Sequence, residues 1–207
     1  MFHFLIIFYI SVVIFVDPAT VNKYFVAYPQ QPSLVNWILS IFFHGSFPHL
    51  FSNALFLLFL GRAVEDKSGA GKWLLFYMMA GLVSVAADSF IRGKLMNDNT
   101  PLVGASGAVS GIAAVSAILS PFGFKVNRMY FPFPVFIIAW IMIYSDFINV
   151  FTPDNVAHWA HLAGFFSVFI TAYFLSPEER KVIKQGFLVN TVFFTLTLVL
   201  LFFITNR

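Results

Sequence analysis

Residues 102–119 have the sequence LVGASGAVSGIAAVSAIL, in which every polar side chain is a serine and most other side chains are small. Glycine and serine recur four residues apart, as Gly107 with Gly111 and as Ser106 with Ser110. Small residues at this spacing share one helix face and let neighbouring helices approach closely inside a bilayer. The stretch is therefore predicted to be a central membrane helix that other helices surround.

The composition of the whole chain favours the same environment. Hydrophobic residues make up 59% of the 207 residues and charged residues 10%, whereas a soluble domain has about 45–50% and about 25%. The mean hydropathy is +0.85, and so much apolar surface excludes a disordered chain. The chain has no cysteine, which excludes disulfides, thiolate catalysis and cysteine-ligated metals.

Apolar stretches long enough to approach the thickness of a bilayer recur along the chain, a span requiring about 20 residues. Seven spans are predicted, at residues 2–16, 47–64, 73–91, 102–119, 130–147, 156–175 and 187–204. The first is expected to be a retained helix, because no basic region precedes it and no A-x-A cleavage site follows. Residues 34–43 are apolar but short and are predicted to be interfacial or re-entrant. The expected fold is an all-α polytopic membrane protein.

The distribution of Lys and Arg predicts the orientation in the membrane. If the N-terminus is cytoplasmic, most basic residues fall in inner loops, as the positive-inside rule requires. These eight are Arg62, Lys67, Lys72, Lys125, Arg128, Arg180, Lys181 and Lys184. The outer segments contain Lys23, Arg92, Lys94 and Arg207. The chain is thus expected in the cell membrane with its C-terminus outside, and such scattered charge does not indicate nucleic-acid binding.

Polar side chains at membrane depth are costly and mark functional sites. Four of the five histidines fall in two clusters that the predicted topology places near the outer face, as it does Ser106. The first cluster contains His44, His49 and Asn53, and the second contains His158, His161 and Gly164. Side chains four residues apart lie on the same face of a helix, so His49 and Asn53 are expected to point the same way.

These groups are what serine-type acyl transfer requires. A serine hydroxyl becomes a good nucleophile when an imidazole can accept its proton, and hydrogen-bond donors must face the developing oxyanion. Ser106 is the candidate nucleophile, His161 the candidate base, and His49, Asn53 and backbone N–H groups the candidate donors. His158 is the alternative base, although its position at the helix start favours His161. His44 either supports the site or is simply interfacial.

The order and spacing of these motifs resemble the rhomboid family of intramembrane serine proteases. The matching residues are His49-Leu-Phe-Ser-Asn53, Gly104-Ala-Ser106-Gly107 and His161-Leu-Ala-Gly164, with Gly61-Arg-Ala-Val-Glu65 similar to a helix end of the family. The resemblance covers residues 44–175. It implies a six-helix core, here residues 1–175, with an inner loop and a seventh helix added in residues 176–207.

The resemblance also implies roles for the residues. It makes Ser106 and His161 a catalytic dyad without cofactor or metal, assigns oxyanion stabilisation to His49, Asn53 and the Ser106 amide, and implies transmembrane helices as substrates, cut near the outer surface of the bilayer. Ser110 departs from the pattern, because family members often have an aromatic residue there that stacks on the catalytic imidazole. Support for the imidazole is therefore expected from Trp159 or from a hydrogen bond.

Other functions fit the sequence less well. A zinc hydrolase would need a carboxylate beside the histidines, and none is identified next to either cluster, nor is HExxH present. Aspartyl protease motifs and the inverted repeats of transporters are also absent. Asp88 and Asp146 are expected to cap helices or bond loops, and Asp154 to lie too far along the helix to touch His161. A catalytically inactive relative that binds membrane proteins remains the alternative.

Overall fold

The computed structural model describes residues 2–126 and 129–205, and helices dominate it. The helices are α1 (Phe2–Phe15), α2 (Pro18–Tyr24), α3 (Leu34–Ser40), α4 (Phe47–Phe56), α5 (Arg62–Ser68), α6 (Ala70–Asp88), α7 (Ser106–Leu119), α8 (Val135–Asn149), α9 (His158–Thr171) and α10 (Pro177–Thr205). A π-helical segment, Leu57–Gly61, joins α4 to α5, and another, Ser89–Leu95, extends α6. Arg128 and Arg207, which contribute to the predicted orientation, lie outside the described residues.

The helices account for most of the predicted spans. Within the described residues, three helices are long and apolar enough to cross a membrane, namely Phe47–Ser68, Ala70–Leu95 and Pro177–Ile204. Three shorter apolar helices are His3–Phe15, Ser106–Leu119 and Val135–Asn149. The predicted sixth span contains α9, followed by a 3-10 turn at Ala172–Phe174. The helical membrane class is thus confirmed, whereas the count of seven spans stays a prediction.

Several boundaries differ from the sequence prediction by a few residues, and two differ more. The fifth span was expected to begin at residue 130, but strands β1 (Gly123–Val126) and β2 (Met129–Pro132) form an antiparallel hairpin there, and α8 begins only at Val135. Pro132 and Pro134 explain the delay, because proline interrupts helical hydrogen bonding. The last helix begins about ten residues before the predicted span, because Ser176 and Glu179 form a reciprocal capping box at its start.

The small-residue helix α7 is central, as its sequence predicts. All of its residues from Gly107 to Ile118 are buried. Gly107 lies against Ser84 of α6 and the carbonyl of Ala160 of α9, and Gly111 lies against Ala80 of α6. Because these contacts leave no space for larger side chains, the glycines allow α6 and α9 to pack directly on α7.

The long helix α10 packs against the opposite end of α7. The Asn190 side chain donates a hydrogen bond to the carbonyl of Ala117 at 2.8 Å, and Gly186 lies against the carbonyl of Ile118. Near the start of α10, Glu179 also pairs with Lys72 of α6. The helix is therefore attached to the bundle at its beginning, whereas most of its later apolar side chains are exposed.

Candidate active site

Ser106 is the first residue of α7. It therefore lies at the N-terminus of the helix, where the backbone N–H groups have no acceptor within the helix. The first helical bond of α7 runs from the amide of Val109 to the carbonyl of Ala105 at 2.8 Å. The N–H groups of the preceding turn have no intrahelical acceptors, and the helix dipole adds partial positive charge there. Ser106 is half-buried. Its surroundings can therefore stabilise negative charge on an adjacent atom.

The segment before Ser106 is held in an unusual conformation. Gly104 has a φ of +120°, a region that side-chain-bearing residues rarely adopt. Its amide donates to the carbonyl of Ser40 at 2.9 Å, and the amide of Ala105 donates to His44 Nε2 at 3.3 Å. Gly104 therefore turns the chain into α7, and the hydrogen bonds of the Gly104 and Ala105 amides to Ser40 and His44 position Ser106.

His44 and His49 lie beside this turn. His44 is fully buried, so the structure places it behind the Ser106 segment rather than at the interface. Its ring centroid is 5.1 Å from that of His49. The His49 ring packs on Gly104 so closely that a Cβ at this position would lie 2.5 Å from His49 Cε1. The glycine of the Gly-x-Ser motif thus also makes room for an imidazole.

Asn53 follows His49 by one turn of α4 and is buried. Its amide nitrogen Nδ2 has no hydrogen-bond partner among the described residues. A buried donor without a partner is costly, so this nitrogen is able to donate to an acceptor outside the described residues. The role of Asn53 and His49 as oxyanion donors stays a prediction.

His161 enters the site through the contact between α7 and α9. Gly164, one turn further along α9, lies directly against the backbone of Gly107. In the described part of the chain, no hydrogen bond joins Ser106 Oγ to His161. Catalytic hydrogen bonds are often long in unliganded enzymes and shorten with substrate bound.

A carboxylate lies beside the second histidine cluster, contrary to the expectation from the sequence. Oδ1 of Asp146 on α8 is 2.9 Å from Nδ1 of His161 and 2.7 Å from Nδ1 of His158. Asp146 therefore neither caps a helix nor bonds a loop. It supplies the His161 imidazole with a hydrogen bond, one of the two kinds of support that the sequence predicted. The ring of Trp159, the other predicted support, packs against Phe151 with 5.8 Å between the ring centroids.

His158, the alternative base, is not a solvent-facing residue although it begins α9. Its side chain is 6% exposed and lies between two carboxylates. Its Nε2 is 3.2 Å from Oδ2 of Asp154. Asp154 was predicted to lie too far from His161 for a contact, and its imidazole partner is His158. One signal in the sequence pointed to this cluster: Asp146 is the only charged residue in the apolar helix α8, and ionisable residues at membrane depth are usually functional.

Asp146, His158 and His161 also offer three ligand atoms within 4.8 Å of one another. Zinc binds imidazole nitrogen and carboxylate oxygen at roughly 2.0–2.2 Å. The separations of 2.7 and 2.9 Å from the carboxylate oxygen to the two nitrogens are those of hydrogen bonds. A metal would have to displace both ring protons, so the donor set fits a hydrogen-bond network better than a metal centre.

An ionic cluster secures the loop that leads to Ser106. The Arg92 guanidinium contacts both oxygens of buried Asp88, at 2.8 and 2.7 Å, and also Asp98 at 3.2 Å and the carbonyl of Thr100. Hydrogen bonds from the hydroxyl and amide of Thr100 lower the pKa of Asp98. Asp88 therefore bonds a loop, as expected, through Arg92. Two further loop contacts run from Gln30 to Asn97 and Asn99.

Comparison with known proteins places this arrangement in a family. The Rhomboid domain model matches residues 31–178, well over half of the chain. Rhomboid-like protein 11, chloroplastic, from Arabidopsis thaliana is 32% identical over 93 residues, which cover 44% of this chain and 31% of that protein. RHOMBOID-like protein 4 from the same plant is 29% identical over 143 residues, or 68% of this chain and 32% of that protein.

A bacterial relative is similar over the same region. Rhomboid protease GlpG from Serratia proteamaculans is 28% identical over 147 residues, which cover 68% of this chain and 49% of that protein. The chain thus spans about a third to a half of the length of these relatives. The matched domain together with the apolar helices leads to one conclusion: this chain is an integral membrane protein of the rhomboid family.

Proposed function

We propose that the protein is an intramembrane serine endopeptidase in which Ser106 is the nucleophile and His161 the general base. The observation that carries the proposal is a pair of backbone contacts beside Ser106: the His49 ring of α4 packs on Gly104, and Gly164 of α9, one turn after His161, packs on Gly107. The similarity to a protein named rhomboid protease supports it. The proposed core comprises residues 1–175, with residues 176–207 as an inner loop and a seventh spanning helix.

The proposed reaction proceeds in two acyl-transfer steps. Ser106 Oγ attacks the scissile carbonyl carbon while its proton moves to Nε2 of His161, and a tetrahedral oxyanion forms. His161 then gives this proton to the leaving amine as the carbon–nitrogen bond breaks, which leaves an acyl-serine. Water attacks the acyl group, with His161 again accepting and returning one proton, and this step releases the carboxylic acid and free Ser106.

The oxyanion is proposed to receive hydrogen bonds from His49, from Asn53 and from the amide of Ser106. Such donors accelerate the reaction when they face the charge that develops in the transition state. The unpartnered Nδ2 of Asn53 supports this role. The N–H groups in the first turn of α7 have no acceptor within the helix. They support the role as well, because they and the helix dipole favour negative charge at this point.

The proposed substrates are transmembrane segments of other membrane proteins, cut near the outer surface of the bilayer. The charge distribution supports a cytoplasmic N-terminus and an external C-terminus in the cell membrane. In this orientation the beginnings of α4, α7 and α9 all lie toward the outer side. A transmembrane helix that partly unwinds there would present its backbone to Ser106.

Reaction with a fluorophosphonate probe tests the nucleophile. The purified protein in detergent is expected to be labelled, and Ser106→Ala to lose both labelling and proteolysis while retaining its melting temperature. Ser110→Ala, which changes the same residue type one turn away, is the matched control and should be labelled. An unlabelled wild-type protein would instead indicate the catalytically inactive relative that binds membrane proteins.

The base is tested by substituting the two histidines of α9 separately. His161→Ala is expected to be as inactive as Ser106→Ala, and the double variant no worse, because residues that act as one unit are not additive. His158→Ala should retain measurable activity. The reverse ranking would assign the base to His158. A chelator such as EDTA should not affect proteolysis by the wild type. Strong inhibition by the chelator would instead support a metal site at Asp146, His158 and His161.

A further inference from the structure

Asp146 occupies the centre of the hydrogen-bond network on α8 and α9. It is 8% exposed, and its two imidazole partners, His158 and His161, both come from the neighbouring helix. A buried carboxylate is costly unless hydrogen bonds compensate for the lost solvation. Here both compensating donors are ring nitrogens, and one of them belongs to the proposed catalytic base.

The contact with Asp146 determines which nitrogen of His161 can act as a base. An ionised carboxylate only accepts hydrogen bonds, so the ring nitrogen facing Oδ1, Nδ1, must carry the proton. Nε2 then has the free lone pair. This tautomer is the one that can take a proton from a serine hydroxyl, and the carboxylate stabilises the imidazolium that results.

We propose that Asp146 is a positioning residue for His161, so that α7, α8 and α9 together supply a Ser106–His161–Asp146 arrangement. Asp146 holds the imidazole in its reactive tautomer and orientation and stabilises it electrostatically when it becomes charged. In this role Asp146 acts only as a hydrogen-bond acceptor, and no covalent bond to it forms or breaks. This inference rests on the proposed protease function and adds a third residue to it.

His158 and Asp154, the other residues of the network, differ in whether they form a hydrogen bond with Asp146. His158 contacts the same oxygen of Asp146 and, through Nε2, Asp154. A hydrogen bond from the amide of Val156, aided by His158, lowers the pKa of Asp154, and its side chain is 38% exposed. His158 therefore fixes Asp146, whereas Asp154 makes no hydrogen bond to His161 in the described structure.

This difference provides an internal control, because two carboxylates share one network and only one touches the proposed base. Asp146→Asn and Asp154→Asn each remove one negative charge and change no volume. We expect Asp146→Asn to lower kcat by a factor between about 10 and 10⁴, the upper value being that for loss of the triad aspartate charge in soluble proteases. KM should not change, and Asp154→Asn should retain near wild-type kcat.

The rate of fluorophosphonate labelling separates positioning from mere stabilisation of the fold. If Asp146 positions the base, labelling of Ser106 per folded molecule slows in Asp146→Asn in parallel with kcat. If Asp146 only stabilises the bundle, the melting temperature falls while labelling and kcat per folded molecule stay as in the wild type. The second result would overturn the inference.

If Asp146→Asn does not fold, the contact between Asp146 and His161 can be tested in the wild-type protein by proton NMR. A ring N–H donated to a carboxylate gives a low-field signal in the proton NMR spectrum. The wild type and Asp154→Asn should show such a signal for Nδ1 of His161, and His161→Ala should lose it. A wild-type spectrum without any signal that His161→Ala removes would contradict the contact with Asp146.

The experiments distinguish a failure of the proposed protease function from a failure of the role of Asp146. A wild-type protein that never labels at Ser106 would refute the protease function and the role of Asp146 together. Normal labelling of the wild type, none in Ser106→Ala and wild-type kcat in Asp146→Asn would refute only the role of Asp146. The Ser106–His161 dyad would then act without it.

Discussion

Gly164 on α9 and Gly107 on α7 lie against each other with no space for a side chain between their backbones. A Cβ at residue 164 would overlap the carbonyl of Gly107, and a Cβ at Gly111 would lie 2.7 Å from the carbonyl of Gly164. Because His161 is one turn before Gly164 and Ser106 is next to Gly107, this contact determines how closely the proposed base approaches the proposed nucleophile.

Gly164→Ala is therefore expected to lower both stability and turnover. Overpacking a tightly packed interior costs about 1–3 kcal/mol, and any separation of α7 from α9 also moves His161 from Ser106. Melting temperature and kcat measured together should both fall. Gly71→Ala is the matched control, because a Cβ there meets no atom of the described residues within 4 Å, and it should leave kcat unchanged. Wild-type kcat in Gly164→Ala would contradict a tight constraint at this contact.

Gly104→Ala is expected to inactivate the protein. The residue has a φ of +120°, and the added Cβ would lie 2.5 Å from the His49 ring, so both the backbone and the imidazole would have to move. Either change displaces a proposed oxyanion donor. Proteolysis and fluorophosphonate labelling should both be lost. Gly45→Ala, whose Cβ would be 3.6 Å from Val103, is the control and should remain active.

Asn53→Ala is expected to lower kcat about tenfold or more, less than the roughly 10²–10³-fold for an uncompensated oxyanion donor. The expected loss in kcat is smaller because the backbone amides at the start of α7 would still donate hydrogen bonds to the oxyanion. His49→Ala should also lower kcat, since these donors act on the transition state rather than on bound substrate. Melting temperatures measured alongside decide between this role and helix packing: normal kcat with reduced stability in both variants would remove α4 from the site.

Arg92→Ala is expected to destabilise the protein strongly. Removing one partner of a buried ion pair costs about 3–5 kcal/mol, and Asp88, with a side chain 1% exposed, would lose its counterion. Arg62→Ala is the control, because its bonds to Glu65 and Asp66 are at the surface, where such pairs contribute about 0–1 kcal/mol. Equal melting temperatures for the two variants would show that the Arg92 cluster does not brace the loop.

The sequence by itself determined the helical class, the central position of α7 and the candidate site residues. These features depend on local patterns. Small residues four apart define the contact face of α7, and the i, i+4 spacing of His49 and Asn53 puts both on one face of a helix. A glycine at 104 and another at 164 already indicate where the backbone must turn or be approached closely.

Only the tertiary structure decided which groups from different helices meet. Asp146 and His161 are 15 residues apart on separate helices, and no periodicity within α8 or α9 specifies which of their faces pack together. The burial of His44 behind Ala105 likewise depends on a contact across 61 residues. Local spacing specifies the face of one helix, whereas side-chain partners between helices depend on the packing of the whole bundle, and the role of Asp146 arises at that level.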